Sequence, residues 1–368
     1  MRNKKNIDVF IVILVFLLTG IGLVMVYSSS FVEAADRFGS HVYFLKRQII
    51  WAVAGVILMF SIARIDYHFF VKNSTKFLIA GFILLIILLF LPDDQRVKGA
   101  NRWISFRFFK IQPSEFMKFI FLWYLSYFFG KTGNITQIKR KIIVPGFIFV
   151  LIASFILLQP DLGTATVIGL SFTLILFIIG LPVNYIISII IAGTGAFVGA
   201  IYMEPYRRNR IFAFFNPWEY RFTYGYHIIN SLMAVGAGGA FGVGLGQSKQ
   251  KFMYLPEPYS DFIFAVVCEE MGFVGAAALL TLFLLLFLRG WYIIRKAPDI
   301  SGFILGLGII ITITIQALIN MGVVLNLFPT KGLPLPFISY GGSSMLILFI
   351  NIGILLNISR YRSDYQEN

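Results

Sequence analysis

Asp261 stands in Tyr254-Leu-Pro-Glu-Pro-Tyr-Ser-Asp-Phe-Ile-Phe-Ala265, where a long polar loop runs into a stretch apolar enough to cross a membrane. A carboxylate in that setting is costly to keep and marks a functional position by default. Ser260 is placed to cap the helix, and Asp261 then falls in its first turn. There the helix dipole favours the charged carboxylate while desolvation disfavours it, which leaves a base that is ionised but not inert. The plainer alternative is an acid that only complements the dipole, and Glu257 reads as the more exposed of the two.

Three further stretches place chemistry-bearing side chains at helix mouths. In Gln112-Pro-Ser-Glu-Phe-Met-Lys118, Ser114 can cap, and Glu115 and Lys118, three apart on one face, form a membrane-buried ion pair that either serves function or fixes packing. Gln159-Pro-Asp-Leu-Gly-Thr164 puts Asp161 at another helix mouth, as a cap or as a functional acid. Lys331-Gly-Leu-Pro-Leu-Pro-Phe-Ile-Ser-Tyr-Gly-Gly-Ser-Ser344 is a proline-stiffened loop leading into a glycine-opened helix; Lys331 could hold phosphate, and Ser339 supports the same wall. The series Gly236, Gly238, Gly239, Gly242, Gly244 and Gly246 either approaches an anion or makes tight turns and close helix packing. His41, His68 and His227 are scattered and Cys268 is the single cysteine, so neither a zinc site nor an intramolecular disulfide is expected.

The elements that must position these residues are helices in a bilayer. Of 368 residues 58% are hydrophobic and 13% charged, with mean hydropathy +0.83, and no water-facing surface can be built from so little charge. Irregular backbone cannot face lipid, and the short alternating segments of a barrel are absent. The expectation is an all-α polytopic membrane protein of one domain with ten transmembrane helices, at about 7–28, 47–65, 76–92, 114–130, 142–158, 164–181, 183–203, 261–288, 300–325 and 339–359. The first segment is too long, and lacks the small-residue cleavage site, to be a removed signal, so it is expected to stay as an anchor.

Ten crossings put both termini on one side, together with Arg2/Lys4/Lys5, Lys72/Lys76, Lys131/Lys139/Arg140/Lys141, Arg289/Arg295/Lys296 and Arg360/Arg362. The positive-inside rule makes that side the cytoplasm. The opposite side then carries a large extracellular loop at 204–260, and against the usual bias it is rich in cations. Arg96, Lys98, Arg102, Arg107 and Lys110 lie in the 93–113 loop; Arg207, Arg208, Arg210, Arg221, Lys249 and Lys251 lie in the 204–260 loop. Long loops translocate regardless of charge, which excuses the second better than the first. The functional alternative is one external cavity lined by both loops that holds a strongly anionic ligand such as a lipid pyrophosphate.

Taken together, Gly99-Ala-Asn-Arg-Trp-Ile104, Gln112 to Lys118, Gln159 to Thr164, Tyr206-Arg-Arg-Asn-Arg210, Gly225 to Ser231, Leu245 to Gly272 and Lys331 to Ser344 resemble the SEDS family (shape, elongation, division and sporulation) of peptidoglycan polymerases, essentially end to end. Gly-Gln-Ser-Lys-Gln-Lys ahead of Tyr-Leu-Pro-Glu-Pro is similar to the FtsW and SpoVE branch rather than the RodA branch. Tyr259-Ser260 replaces the usual His-Thr or Gln-Thr, keeping a hydroxyl. Tyr220-Arg221 replaces an acidic-proline pair, and Met271 replaces a leucine.

The resemblance implies that Asp261 is the catalytic residue of an inverting glycosyltransferase that joins lipid II into β-1,4-linked strands and releases undecaprenyl pyrophosphate. Arg102, Lys118, Arg207, Arg210 and Lys331 would neutralise the leaving group, with Glu115, Asp161, Glu257, Ser260 and Ser339 in support. The implied partners are lipid II, undecaprenyl-linked glycan, membrane lipids, a class B penicillin-binding protein and other divisome or sporulation membrane proteins, with no nucleic acid. A divalent cation, Mg or Mn, is plausible chemistry for bridging phosphates, although no sequence cluster fixes one. The rival expectations are a lipid II flippase, with Glu115, Lys118 and Asp161 as a polar pathway, and a non-catalytic scaffold for the transpeptidase.

Overall fold

The computed structural model describes residues 6–90, 102–105, 110–131, 141–250, 255, 257–330 and 332–361. The expectations for Lys331, Arg96, Lys98, Arg107, Lys139, Arg140, Lys251 and the terminal Arg2, Lys4, Lys5 and Arg362 lie outside the described residues.

Every one of the ten apolar stretches is helical. In chain order they are α1 (Val9–Phe38), α2 (Tyr43–Ile62), α3 (His68–Leu89), α4 (Pro113–Gly130), α5 (Ile143–Leu158), α6 (Leu162–Ile178), α7 (Val183–Tyr202), α10 (Ile263–Arg295), α11 (Ile300–Val324) and α12 (Gly342–Arg360). Among the described residues, seven helices are long and apolar enough to cross a membrane, and α5 and α6 are shorter apolar helices. The remaining elements are α8 (Pro205–Phe215), α9 (Tyr226–Gly238) and a two-residue hairpin of β1 (Ile104–Ser105) and β2 (Lys110–Ile111), paired antiparallel.

α11 and α12 form the centre: 83% of the apolar window of each is buried, against 11% for α7 at the periphery. α11 packs on α4, α6 and α10, and α12 on α2. Many polar side chains inside the bundle are bonded, as favoured where no water competes, although the hydroxyls of Thr19, Ser30 and Ser74 have no partner among the described residues. Trp123 donates to Asn351 Oδ1 (3.1 Å), and Asn357 accepts from the Tyr67 amide (2.9 Å) and donates to the Ala63 carbonyl (3.0 Å).

Three expectations about helix bounds need correction. α1 runs ten residues past 28, because Glu33 and Arg37 pair at i,i+4 (2.9 Å) along its last turns and only Gly39, at φ 63°, stops it. The 204–260 connection is not one loop, since it folds α8 and α9. The eighth span is broken, because Gly272 (φ 64°, ψ −164°) leaves helical geometry and divides α10 into a stub, 263–271, and a long arm, 273–295. The break is held from outside: Phe273 and Val274 donate their amides to Gly239 and Ala240, and Val243 and Gly244 donate to Glu269 and Glu270. A side chain on Gly242 or Gly272 would collide with the backbone opposite, so this part of the glycine series serves close packing.

Both described ends of the chain lie on one end of the bundle, which requires an even number of crossings. The Asp8 amide donates to Ser359 Oγ (3.2 Å), and Arg289 grips the Asp8 carboxylate through Nε and Nη2 (3.0 and 2.7 Å).

Candidate active site

The Asp261 segment lies at the opposite end and is not the start of a helix. α10 begins at Ile263 with Phe262 as its N-cap, so Ser260 does not cap and Asp261 stands in a turn two residues upstream of the helix. The reason is competition: the backbone groups of 259–261 are taken by neighbours from other elements. The Tyr259 carbonyl accepts from the Tyr340 amide (2.9 Å), the Ser260 carbonyl from Ser339 Oγ (2.6 Å), and the Asp261 carbonyl from Asn320 Nδ2 (2.9 Å). Ser339 in turn accepts from the Leu335 amide (2.8 Å), while Gln48, fully buried on α2, donates to its carbonyl (3.1 Å). Tyr259 stacks on Phe44 with centroids 4.4 Å apart and reaches Glu33 of α1 with its hydroxyl (3.3 Å). Burial raises the Tyr259 phenol, with Glu33 and Glu257 adding to the rise, so it stays a neutral donor.

Beside this turn lies a cleft of about 540 Å³, open to the surface, lined by Arg102, Asp161, Tyr206, Arg207, Arg210, Thr330 and Gly332 among others. The half-buried Asp261 accepts a bond from Ser260 Oγ (3.3 Å), and its Oδ2 lies only 2.8 Å from where a β-carbon on Gly332 would be. A side chain at 332 would therefore push the carboxylate from the place it takes at the rim of the cleft.

Arg102, Arg207 and Arg210 are held by carbonyls: Arg102 by Gln159 and Pro160, Arg207 by Ala200 and Leu157 (2.9 and 3.2 Å), Arg210 by Thr330 (3.1 Å). Arg210 also lies 4.4 Å above the Tyr206 ring. Burial pulls the Arg210 guanidinium below its ordinary value; Tyr206 and Asp261 oppose the pull and neighbouring Arg102 adds to it. Three fixed guanidinium groups, with Asp161 in the wall and Asp261 at the rim, suit a ligand with clustered anionic oxygens and a reacting hydroxyl.

The other expected residues divide. Glu115 and Lys118 form the ion pair foreseen, Nζ at 3.1 Å from both carboxylate oxygens, but Lys118 is 1% exposed and does not line the cleft. Its placement as a leaving-group ligand is corrected: the ammonium is closed in by Glu115 and by Gln316 Oε1 (2.5 Å). Asp161 touches the cleft as the cap of α6, accepting from the Thr164 amide (3.1 Å), Thr164 Oγ1 (2.8 Å), Gln112 (3.2 Å) and Ser114 (3.3 Å). Glu257 is half-buried at φ 51°, and its carbonyl receives the Ser260 amide (3.0 Å).

Sequence reasoning missed Gln48, Gln316 and Asn320, although an amide in an apolar span is itself a signal that something must satisfy it. It also missed Glu269 and Glu270, buried at the end of the stub. Glu269 accepts from Ser248 Oγ (2.5 Å) and the Lys249 amide (2.8 Å), and Glu270 from Ser28 (2.7 Å).

Fold and cleft together define a multi-pass helical membrane protein with a surface site of carboxylate and arginine. The chain belongs to the cell cycle protein family of FtsW, RodA and SpoVE, which matches it over residues 8–364. It is 44% identical over 362 residues to stage V sporulation protein E of Bacillus subtilis, covering 98% of each chain. It is 40% identical over 365 residues to a probable peptidoglycan glycosyltransferase FtsW of Geobacter metallireducens, covering 98% of this chain and 96% of that one. Among solved structures it resembles a chain described under structural coordination of polymerization and crosslinking by a peptidoglycan synthase complex, with TM-score 0.81 and 26% identity over 98% of this chain and 99% of that one. It also resembles the rod shape determining protein RodA of Thermus thermophilus, with TM-score 0.72 and 25% identity over 98% of each chain.

Proposed function

We infer that the chain is a peptidoglycan glycosyltransferase that polymerises lipid II into β-1,4-linked glycan and releases undecaprenyl pyrophosphate. Full-length relatives are named probable peptidoglycan glycosyltransferase FtsW, and the observation that carries the reading here is the Asp261 carboxylate at the rim of a cleft walled by three fixed arginines. Asp261 takes the proton of the acceptor sugar's 4-hydroxyl as that oxygen bonds the anomeric carbon of the lipid-linked strand. The bond from that carbon to the pyrophosphate breaks, and its electron pair leaves with the phosphate oxygen. Attack on the face opposite the leaving group turns an α link into a β link. Arg102, Arg207 and Arg210 hold the developing negative charge, a role that fixed donors fill without reorganisation. Glu257, Ser260 and Ser339 shape the turn that presents Asp261, and Lys331, outside the described residues, is assigned to the pyrophosphate from its place in the sequence.

The described residues do not fit a protein-held Mg or Mn ion. Among them no three His, Cys, Asp or Glu side chains converge, and Asp161 is already saturated by four donors. We route no step through a metal. A transport pathway through Glu115, Lys118 and Asp161 is not favoured, because the three are closed by each other and by their neighbours.

The end of the bundle that gathers both described chain ends also holds Arg64, Lys72, Arg289, Lys296 and Arg360. The positive-inside rule assigns it to the cytoplasm of a bacterial plasma membrane, with both termini inside and the 204–260 segment outside. The resemblance to a synthase complex that couples polymerization and crosslinking supports a class B penicillin-binding protein as partner, in division or sporulation.

The test is glycan formation from purified lipid II by wild type and Asp261→Asn, with and without the transpeptidase. Polymer from wild type only, with equal lipid II binding, is the expected result. Equal polymer from both removes Asp261 from the chemistry. No polymer from either in the authentic complex moves the reading to transport or scaffolding.

A further inference from the structure

α11 carries three buried polar side chains four residues apart, Thr312, Gln316 and Asn320, and so on one face of an otherwise apolar helix. Two of them do more than satisfy a neighbouring helix. Asn320 Nδ2 donates to the carbonyls of both Leu333 (2.7 Å) and Asp261 (2.9 Å), pinning the chain beside Gly332 and the chain at Asp261 to one point. Gln316 Nε2 donates to the Pro334 carbonyl (2.8 Å), the next link of the same strand. Gln316 Oε1 accepts from Lys118 Nζ, whose charge Glu115 balances.

We propose that Gln316 and Asn320 are positioning residues for the Asp261 carboxylate, Asn320 by tying the Asp261 and Leu333 carbonyls to one point and Gln316 by holding Pro334 in an orientation set by the buried Lys118. The proposal rests on the reading of Asp261 as the base. Its logic is donor and acceptor identity. An ammonium only donates and a backbone carbonyl only accepts, so Lys118 forces the oxygen of Gln316 toward itself and thereby the NH₂ toward Pro334. A flipped amide would set donor against donor and acceptor against acceptor. Asn320 leaves its Oδ1 without a partner among the described residues, so its donor side alone sets its orientation. With the carbonyls of 261, 333 and 334 anchored to one helix face, the backbones that carry Asp261 and Gly332 are held at one spacing. Replacing such a buried polar run with packed apolar groups is often neutral or stabilising, so stability gives little account of it, whereas a fixed orientation does.

The test measures kcat, KM and the acidic limb of the pH–rate profile for lipid II polymerisation by the complex with its transpeptidase. The variants are Asn320→Leu, Gln316→Leu, Gln316→Glu, Lys118→Met and the double variant Lys118→Met/Gln316→Leu, with Thr312→Val as control. Thr312 lies on the same face but bonds Ser171 (2.9 Å) and does not reach the 332–334 strand. Expected are a fall in kcat of about 100-fold for Asn320→Leu and about tenfold for Gln316→Leu, the scale of a small misplacement of a reacting group. KM stays within about twofold, because ground-state binding is untouched. Gln316→Glu keeps an acceptor for Lys118 but has no donor for Pro334, so it behaves like Gln316→Leu. The acidic limb shifts in all of these and not in Thr312→Val. Lys118→Met adds little once Gln316 is gone, since both act through one path.

Wild-type kcat and an unmoved acidic limb in Gln316→Leu and Asn320→Leu overturn the proposal. So do losses that track thermal stability alone and are matched by Thr312→Val. Activity surviving in Asp261→Asn sinks the reading of the base instead, and the two failures are thus told apart.

Discussion

Asp161 and Asp261 occupy similar sequence settings, an acid just after a proline-containing turn at the mouth of an apolar helix, and the structure uses them differently. Asp161 is a cap, with its oxygens taken by the first turn of α6 and by Gln112 and Ser114. Asp8 and Asp299 do the same for α1 and α11, accepting from Ile11 (3.3 Å) and Gly302 (2.6 Å). Asp261 stands two residues ahead of its helix, whose N-cap is Phe262, and its own carbonyl is claimed by Asn320. An acid whose charge closes a helix is spent on structure. Asp261, set ahead of the cap position at the rim of an arginine-lined cleft, is placed to meet a ligand there.

The comparison predicts a graded set of effects. Asp261→Asn should cost about 10²- to 10⁴-fold in polymerisation, the usual worth of a positioned base, with lipid II binding and melting temperature near wild type. A large loss of binding would instead make Asp261 a ligand contact. Gly332→Ala drives a methyl group onto Asp261 Oδ2 and should lower kcat by about 100-fold at little change in KM. Unchanged turnover would mean that the carboxylate is free to move aside.

Asp161→Ala should chiefly destabilise, by about 1 kcal/mol for a lost cap, read as a lowered melting midpoint, with polymerisation falling far less than in Asp261→Asn. Equal loss of activity in the two would break the distinction drawn here. The smallest effect concerns Asp299. Burial raises its carboxyl, but the Gly302 amide, the Tyr67 hydroxyl and His68 outweigh burial and hold it below its ordinary value. Its stabilisation is then fully present above the ordinary carboxylate range and is lost as pH falls through the lowered folded value. The melting difference between wild type and Asp299→Asn should therefore shrink on acidification toward about pH 3; a constant difference would show the contribution to be packing rather than charge.

The sequence revealed the spans because lipid demands long apolar runs, and it revealed Asp261 because a carboxylate at such a run is rare. It also paired Glu115 with Lys118, since both lie within one turn of one helix. What it could not reveal is where partners come from far along the chain. Asn320 meets Asp261 across 59 residues and Gln316 meets Lys118 across 198, so nothing local names the partner. The same gap misplaced Lys118 among the phosphate ligands and put Ser260 in the cap. α8 and α9 are too short to show an apolar stripe long enough to span a membrane, so the pattern of spans leaves both within the 204–260 loop.

Gly272 has a mechanical consequence. A helix under a bilayer of different thickness changes tilt as a rod, and whatever is fused to its end swings with it. Here the rod is broken at 272, and the 239–244 segment bonds both sides of the break, the stub through Val243 and Gly244 and the arm through Gly239 and Ala240. The stub ahead of the break is thereby held by a segment outside the span as well as by its own helix, so the chain that carries Asp261 does not rely on the long arm of α10 alone for its place.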